Sequence, residues 1–294
     1  MAGPEAKAGI KNEDHIANAL NHFRGTKAKK WLGALGYNVK TIKKLKADRS
    51  LKIIGKNIKS DIILRVNNRK LHGIQVKKSR NDTNFHHVQR GWADKICKGW
   101  NAPIFISNAL EKFAGQNGFQ PADYMSKKEL KKLQSERRKK GFPEKKIKDL
   151  ARRKRILLSE LEEKERKKVF AWLKKNKKKI VDSVLCGNGK KYRPRHLMVT
   201  EYTEKVKGKT KVTRIGIVRM SRAVNHFAKG DVAETKGGTV LRIGKIMMQR
   251  HGAEKSEGKN AQHLQFKINP LGVFDLQSCE IFPKKKPKKT KRGK

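Results

Sequence analysis

Apolar residues between positions 57 and 77 fall into two β-prone runs. The first run contains Ile62, Ile63, Leu64 and Val66, and the second contains Leu71, Ile74 and Val76. Asn67 and Asn68 lie between them and predict a tight turn, because Asn tolerates a positive φ better than other residues that carry a Cβ. The segment therefore predicts a β-hairpin in which side chains of one parity share a face.

Elsewhere the hydrophobic pattern alternates between helical and extended periods. Ile16, Leu20 and Phe23 follow a helical spacing and predict a helix over residues 7–24. Further helices are predicted near residues 26–35, 85–98, 159–187 and 221–227. Strands are predicted near residues 51–54, 103–106, 197–202, 212–220, 239–248 and 263–268. The mixture predicts an α/β chain.

Charge changes this picture most. The 294 residues include 75 Lys and Arg against 26 Asp and Glu, which gives a formal net charge of +49. Such a charge repels itself strongly without a polyanion, so nucleic acid is the expected partner and an anionic membrane surface the lesser alternative. Part of the charge lies in a basic insertion at residues 125–155 and in a basic tail at residues 278–294, which its composition predicts to be disordered.

Other features exclude several classes of protein. The chain has no apolar run of 18 residues, and residues 1–15 are too polar for a signal peptide, so we expect an intracellular protein. The three cysteines, Cys97, Cys186 and Cys279, are far apart and form no C-x-x-C pair. This spacing argues against a zinc site and against a disulfide framework.

The hairpin also carries the candidate chemistry. Folded about Asn68, it brings Asp61 roughly opposite Val76 and Lys77, while Gln75 and Lys77 share a face. A carboxylate and an amide oxygen suit Mg²⁺, and a neighbouring lysine can orient a water molecule or neutralise a phosphate. The alternative interpretation is an ordinary strand face in which these polar groups only contact solvent.

Glu13 falls on the apolar stripe of the first predicted helix. An unpaired buried carboxylate is costly, so its position requires an explanation. It can pair with a lysine, lie at the edge of the helix, or reach the polar end of the hairpin. The sequence leaves all three open.

The order of these motifs resembles a known nuclease group. A G-x-x-x-E helix (Gly9 to Glu13), then Ser60-Asp61, then Gln75-Val76-Lys77, is similar to the PD-(D/E)xK superfamily. The segments at residues 11–17, 59–62, 74–77, 172–176, 249–252 and 264–268 resemble, in the same order, the HinP-type restriction endonucleases, which cut GCGC. The resemblance implies a restriction-endonuclease-like core, with a central mixed β-sheet flanked by helices and a basic helical insertion.

The resemblance also implies roles for individual residues. Asp61 and Gln75 would bind Mg²⁺, the Val76 backbone carbonyl would complete the coordination, and Lys77 would position the attacking water. Glu13 would be a supporting acid.

For DNA reading, the resemblance implies Gln249, Arg250 and Lys267 in the C-terminal part of the chain. His87 stands where amide residues are expected. Arg is the residue type that pairs bidentately with guanine, so Arg250 is the foremost base-reading candidate.

The expected protein is a Mg²⁺-dependent type II restriction endonuclease with one nuclease domain at residues 1–277. It would cut a short palindromic, GCGC-like site in double-stranded DNA and leave 5′-phosphates. The resemblance further implies a dimer or two monomers acting in turn, a cognate DNA methyltransferase, and a cytoplasmic, nucleoid-associated location. Two alternatives stay open: a structure-selective nuclease of the resolvase or repair kind, and a non-enzymatic basic protein that neutralises nucleic acid.

Overall fold

The structure is a computed structural model. It describes residues 4–54, 58–68, 70–80, 85–116, 127–139, 141, 156–189, 192–204, 210–235, 238–251 and 259–282. The helices are α1 (Pro4–Asn21), α2 (Thr26–Ala34), α3 (Ser50–Ile54), α4 (Ala93–Trp100), α5 (Ile104–Ala114), α6 (Lys127–Lys139), α7 (Glu163–Cys186) and α8 (Met220–Phe227). The strands are β1 (Leu45–Arg49), β2 (Ile62–Val66), β3 (Lys70–Ser79), β4 (His86–Gly91), β5 (Pro194–Glu204), β6 (Thr210–Arg219), β7 (Val232–Glu234), β8 (Val240–Ile243), β9 (Ile246–Arg250), β10 (Leu264–Ile268) and β11 (Glu280–Phe282).

The chain divides into two compact units. The first comprises Met1–His86, Leu185–Phe227 and Asn269–Lys294, and the second comprises His87–Val184 and Ala228–Ile268. The predicted mixed α/β architecture is confirmed, since each unit combines one sheet with helices. The prediction of a single nuclease domain over residues 1–277 stays a prediction.

The sheet of the first unit has the order β1-β2-β3-β5-β6-β11. It is mixed because β3 and β5 run parallel, whereas the other neighbouring strands pair in antiparallel fashion. The predicted hairpin is formed by β2 and β3, and Asn67 and Asn68 have φ values of 50° and 61°. Val66 pairs with Lys70 and Ile62 with Ile74, so the ladder runs one residue out of the predicted register.

One face of this sheet forms the core of the first unit. Ile62, Leu64, Ile74, Val76 and Met198 belong to one buried cluster with Ile16 and Leu20 of α1 and Trp31 and Leu32 of α2. The helical spacing of Ile16 and Leu20 therefore orients α1 as predicted, with its apolar stripe on the sheet. This packing fixes α1 beside the hairpin that carries the candidate site residues.

A close contact between β3 and the residue before Asp61 fixes the start of the hairpin. The Ser60 hydroxyl donates to the Tyr192 carbonyl oxygen at 2.8 Å. A Cβ at Gly73 would lie 2.0 Å from Ser60 Oγ and 3.0 Å from the Arg193 carbonyl oxygen. Only glycine fits at position 73 without a shift of the backbone, and Asp61 follows directly from this contact.

The sheet of the second unit has the order β4-β10-β9-β8-β7. Its buried face includes Leu241, Met248 and Phe266, and the ring of Trp100 from α4 meets Phe266 edge to face at 5.8 Å between centroids. The predicted strand over residues 239–248 is a hairpin of β8 and β9 that turns at Gly244, whose φ is 63°.

Three predicted elements are wrong. Residues 51–54 form part of helix α3 and not a strand, and residues 86–91 form β4 where a helix was predicted. Residues 104–106 begin helix α5 after Pro103, in which Ile106, Ala109, Leu110 and Phe113 are fully buried at helical spacing. Short apolar runs do not distinguish the two structures, and here tertiary burial decides.

The basic insertion and the tail are described in part. Within residues 125–155, α6 is a helix of Lys127–Lys139 that is rich in Lys and Arg, and the remaining positions apart from Gly141 lie outside the described residues. Within residues 278–294, β11 pairs with β6, so the first part of the range predicted as a disordered tail is a strand. No helix of the described ranges is long and apolar enough to cross a membrane.

Alanine substitutions at two glycines of the first unit, Gly73 in the contact with Ser60 and Gly33 outside it, should change stability in opposite directions. Gly73→Ala should lower the free energy of unfolding by about 2 kcal/mol or more, because the new methyl group overpacks a closed contact. Gly33→Ala is the control, since a Cβ there meets nothing within 4 Å and lies in helix α2. It should raise stability by about 0.5–1 kcal/mol. Urea unfolding measures both, and equal effects would contradict the proposed packing constraint.

Candidate active site

Asp61 stands at the start of β2 and contacts the middle of β3. Its Oδ2 accepts the Val76 backbone N–H at 2.7 Å, and its own carbonyl oxygen accepts the Ser50 N–H at 3.0 Å. The carboxylate therefore lies beside the residue between Gln75 and Lys77, as the hairpin predicts in spite of the changed register. The sequence did not predict the Val76 N–H as a donor, and its carbonyl as a metal ligand stays a prediction.

Burial disfavours the ionised form of the Asp61 carboxyl group, and the neighbouring groups favour it. Burial raises the pKa of Asp61 above its ordinary value, while Lys77, the Val76 N–H and Lys59 lower it. A carboxylate in this setting gains free energy when a cation approaches, because the desolvated charge then has a partner.

Gln75 offers an oxygen acceptor that lacks a partner. Its side chain is 2% exposed, and its Oε1 has no hydrogen bond within the described ranges. Leaving such a group unsatisfied costs about 1–3 kcal/mol, and an ion or ordered water is the usual explanation. The oxygens of Asp61 and Gln75 fit the donor chemistry of Mg²⁺.

This donor set differs from a site built of His, Cys, Asp and Glu. Among the described residues, no group of three or more of those side chains could hold a metal ion. A metal ion here would have to be held by the carboxylates of Asp61 and Glu13, the side-chain oxygen of Gln75 and the backbone carbonyl of Val76. That composition suits a hard cation that retains several waters.

Glu13 belongs to the same group of charges. Burial, followed by the charge of Asp61, raises the pKa of Glu13 to about 7, and Asp14 adds to the rise while Lys77 and Arg49 oppose it. Of the three explanations left open by the sequence, the interaction with Asp61 and Lys77 favours the one in which Glu13 reaches the hairpin. We name Glu13, Lys59, Asp61, Gln75 and Lys77 the Asp61 cluster.

Lys59 is the member that sequence reasoning missed. Burial, followed by the charge of Lys77, lowers the pKa of Lys59 to about 8, whereas Asp61 and Cys186 raise it. The available signal was its place two residues before Asp61 in the sequence.

The predicted DNA-reading residues lie on β4, β9 and β10 in the second unit. Gln249 and Gln265 pair across β9 and β10, and Gln249 Nε2 donates to Gln265 Oε1 at 3.3 Å. Gln265 also hydrogen-bonds the His87 ring. Lys267 is two residues beyond Gln265 and shares its face. The structure thus brings Gln249, His87 and Lys267 together around Gln265, which the sequence had not singled out.

Arg250 is placed differently from the prediction. It is 3% exposed, and its Nε donates to the Ala114 carbonyl oxygen at 3.0 Å. Successive side chains of a strand point to opposite faces, so Arg250 points away from Gln249 and into the core of the second unit. Its guanidinium joins β9 to α5, and its role in base reading stays a prediction.

Both a family model and solved structures match this chain. The model of the R.HinP1I restriction endonuclease family matches residues 142–274, a range that includes Gln249, Arg250 and Lys267 but begins after the Asp61 cluster. No curated protein matches the chain. The crystal structure of restriction endonuclease MspI in complex with its cognate DNA is similar, with 15% sequence identity, coverage of 89% of each chain and a TM-score of 0.49.

The raised pKa of Glu13 predicts a pH-dependent stability. Between its ordinary pKa of 4.5 and its folded pKa of about 7, the folded chain binds more protons than the unfolded chain. Stability in EDTA should therefore fall as the pH rises through this interval. Glu13→Gln should remove the effect and be more stable than the parent at pH 8 by about 1 kcal/mol, a value reduced because the carboxyl is partly exposed.

Urea unfolding at pH 5 and pH 8 measures this difference. Glu163→Gln is the control, since it removes an exposed carboxylate that pairs with Lys167 on the surface of α7. A stability difference between Glu13→Gln and the parent that does not change with pH would contradict the burial of Glu13 beside Asp61.

Proposed function

We propose that this chain is a type II site-specific endodeoxyribonuclease that cuts double-stranded DNA with the Asp61 cluster and Mg²⁺. The match of residues 142–274 to the R.HinP1I restriction endonuclease model supports the proposal. The target would be a short palindromic site, GCGC or close to it, and the products would carry 5′-phosphates. The observation that carries the proposal is the carboxylate of Asp61, held by the Val76 N–H next to the buried, unpartnered Oε1 of Gln75.

Each residue of the cluster has a distinct task in phosphodiester hydrolysis. Asp61 and Gln75 would hold the cation, with the Val76 carbonyl as a further ligand, and Glu13 would support them as a second acid. Lys77 orients the attacking water and neutralises phosphate charge. When bound, Mg²⁺ lowers the pKa of a coordinated water and stabilises negative charge on the phosphate.

The charge of the chain supports DNA as the substrate. A net charge of +49 gives long-range attraction to a polyanion and a strong salt dependence of binding. Helix α6 and the Lys-rich α7 contribute to that charge, and we propose that the insertion adds sequence-independent affinity. A cytoplasmic, nucleoid-associated location follows from this substrate.

Base reading is proposed for His87, Gln249 and Lys267, with the buried Gln265 orienting Gln249 and the His87 ring. Gln side chains bond adenine edges and Lys bonds guanine O6 and N7, so we propose Lys267 as a guanine reader, since the Arg250 side chain is buried against α5. A palindromic site is read by a two-fold arrangement, which requires a dimer or two monomers acting in turn. A cognate DNA methyltransferase would protect the host DNA.

The function is tested with unmethylated plasmid and bacteriophage DNA, with Mg²⁺ or with EDTA. Discrete Mg²⁺-dependent fragments whose mapped ends share a GC-rich tetranucleotide are the expected result. Cleavage confined to branched DNA would indicate a structure-selective nuclease, and intact, retarded DNA under every condition would indicate a non-enzymatic binding protein. Either result overturns the proposal.

The proposed role of Gln75 as a metal ligand predicts a loss of cleavage rate without a loss of folding stability. Gln75→Leu should lower the cleavage rate about 100-fold, as should Asp61→Asn. Its free energy of unfolding in EDTA should be unchanged or about 1 kcal/mol higher, because a buried acceptor without a partner is removed. Gln75→Glu retains an oxygen and should keep Mg²⁺-dependent cleavage. Loss of stability without loss of cleavage in Gln75→Leu would refute the ligand role.

The reading role of Lys267 is tested by affinity ratios. Lys267→Met should lower the ratio of specific to non-specific DNA affinity about 10-fold, since a base contact of this kind contributes about 1–3 kcal/mol. Lys245→Met removes one charge from the exposed turn between β8 and β9 and should weaken both affinities alike. Filter binding on the mapped site and on a scrambled duplex measures both, and equal ratios for the two variants would exclude Lys267 as a base reader.

A further inference from the structure

Lys59 is the second lysine of the Asp61 cluster. It precedes Asp61 by two residues at the start of the β2–β3 hairpin, and its charge acts on those of Asp61 and Lys77. The side chain is half-buried, which leaves part of it accessible to a ligand. Neither the R.HinP1I match, which begins at residue 142, nor the motif of Asp61, Gln75 and Lys77 gives this residue a role.

Gly187 holds the Lys59 side chain in place. This glycine follows the last residue of α7 and has a φ of 76°, the left-handed conformation that commonly ends helices. A Cβ at position 187 would lie 2.8 Å from Lys59 Cγ, 3.7 Å from its Cβ and 3.9 Å from its Cε. The aliphatic stem therefore runs along the bare Cα of Gly187, and much of its conformational freedom is lost before any ligand binds.

The charges around Lys59 favour an anion. Two ammonium groups in a partly desolvated setting repel each other, and the carboxylate charge beside them is itself opposed by burial. The two lysines and two carboxylates of the Asp61 cluster balance in charge, so a divalent cation on Asp61 and Gln75 would make the cluster positive. A phosphodiester approaching this end of the sheet would relieve the repulsion, and more so as negative charge accumulates on its oxygens.

We propose that Lys59 contacts the non-bridging oxygens of the phosphodiester that is cut and stabilises the negative charge that develops on them. This assignment rests on the proposed nuclease function. In the step, the water oxygen forms a bond to phosphorus, the bond from phosphorus to the 3′ oxygen breaks, and its electron pair leaves with that oxygen. The attacking water releases a proton to solvent, the 3′ oxygen takes a proton from solvent, and Lys59 keeps its own protons. Lys59 is thereby a catalytic residue distinct from Lys77.

Lys59→Met tests the proposal in the full-length chain, because methionine keeps an apolar stem against Gly187 and removes the charge. Single-turnover cleavage of the mapped duplex with Mg²⁺ should slow about 100-fold, the effect of removing one oxyanion-stabilising donor. Affinity for the same duplex with Ca²⁺ in place of Mg²⁺ should fall far less, because the charge it stabilises develops during the reaction. Lys59→Arg should recover part of the rate.

Lys52→Met is the matched control, since it removes a lysine of the first unit whose ammonium pairs with Asp48 at 3.3 Å and is largely exposed. It should cleave at nearly the parent rate. Thermal unfolding is measured for every variant. Lys59→Gln replaces Lys59→Met if the latter is unfolded at the assay temperature.

The outcomes separate this assignment from the proposed function. Slow cleavage by Lys59→Met with retained Ca²⁺-dependent affinity, partial rescue by Lys59→Arg and loss of cleavage in Asp61→Asn support both. If Asp61→Asn is inactive but Lys59→Met and Lys52→Met cleave alike, the Lys59 assignment is wrong and the nuclease function stands. If Asp61→Asn cleaves as fast as the parent, the proposed site is wrong and the Lys59 assignment falls with it.

Discussion

The contact between Ser60 and Gly73 is the constraint on which the Asp61 cluster depends. The Ser60 hydroxyl fills the space where any other residue at position 73 would have its Cβ, and it is held there by the Tyr192 carbonyl. Asp61 follows immediately and can reach the Val76 N–H because the two strands are this close. An active site built on paired strands gains precision, since the backbone hydrogen bonds fix its residues before any ligand arrives.

The electrostatics of the cluster follow from partial burial of opposite charges. Burial raises the pKa of both Asp61 and Glu13 and lowers the pKa of Lys59, so each charged form is disfavoured by desolvation. Partly buried charged groups of this kind are typical of functional sites, because apolar residues in the same positions would make the fold more stable. The buried Gln75 Oε1, which has no hydrogen-bond partner among the described residues, belongs to the same pattern.

The sequence predicts features of this fold that depend on residues close together in the chain, and it misses those that depend on residues far apart. The hairpin, its Asn67-Asn68 turn and the apolar stripe of α1 follow from local periodicity. The segments at residues 51–54 and 103–106 were assigned to the wrong structure, because short apolar runs fit either type. The Gly187 contact with Lys59 joins residues far apart in the chain, and no local pattern indicates it. The buried position of Arg250 follows from strand parity alone, once the inward face of β9 is known.

The position of Arg250 changes what can be argued about sequence recognition. A guanine edge is usually read by Arg or Lys, and the guanidinium of Arg250 is engaged with the Ala114 carbonyl. Lys267 is then a cation on the face that carries Gln249 and Gln265, and Arg242 of β8 lies on the same face opposite Met247. A lysine is a flexible point charge and discriminates less sharply than a bidentate arginine. Because Gln265 hydrogen-bonds both Gln249 and the His87 ring, this row of polar groups is oriented before DNA binds. Selectivity for a GC-rich site would therefore come from several oriented weak contacts, and the loss of any one of them should relax the site only in part.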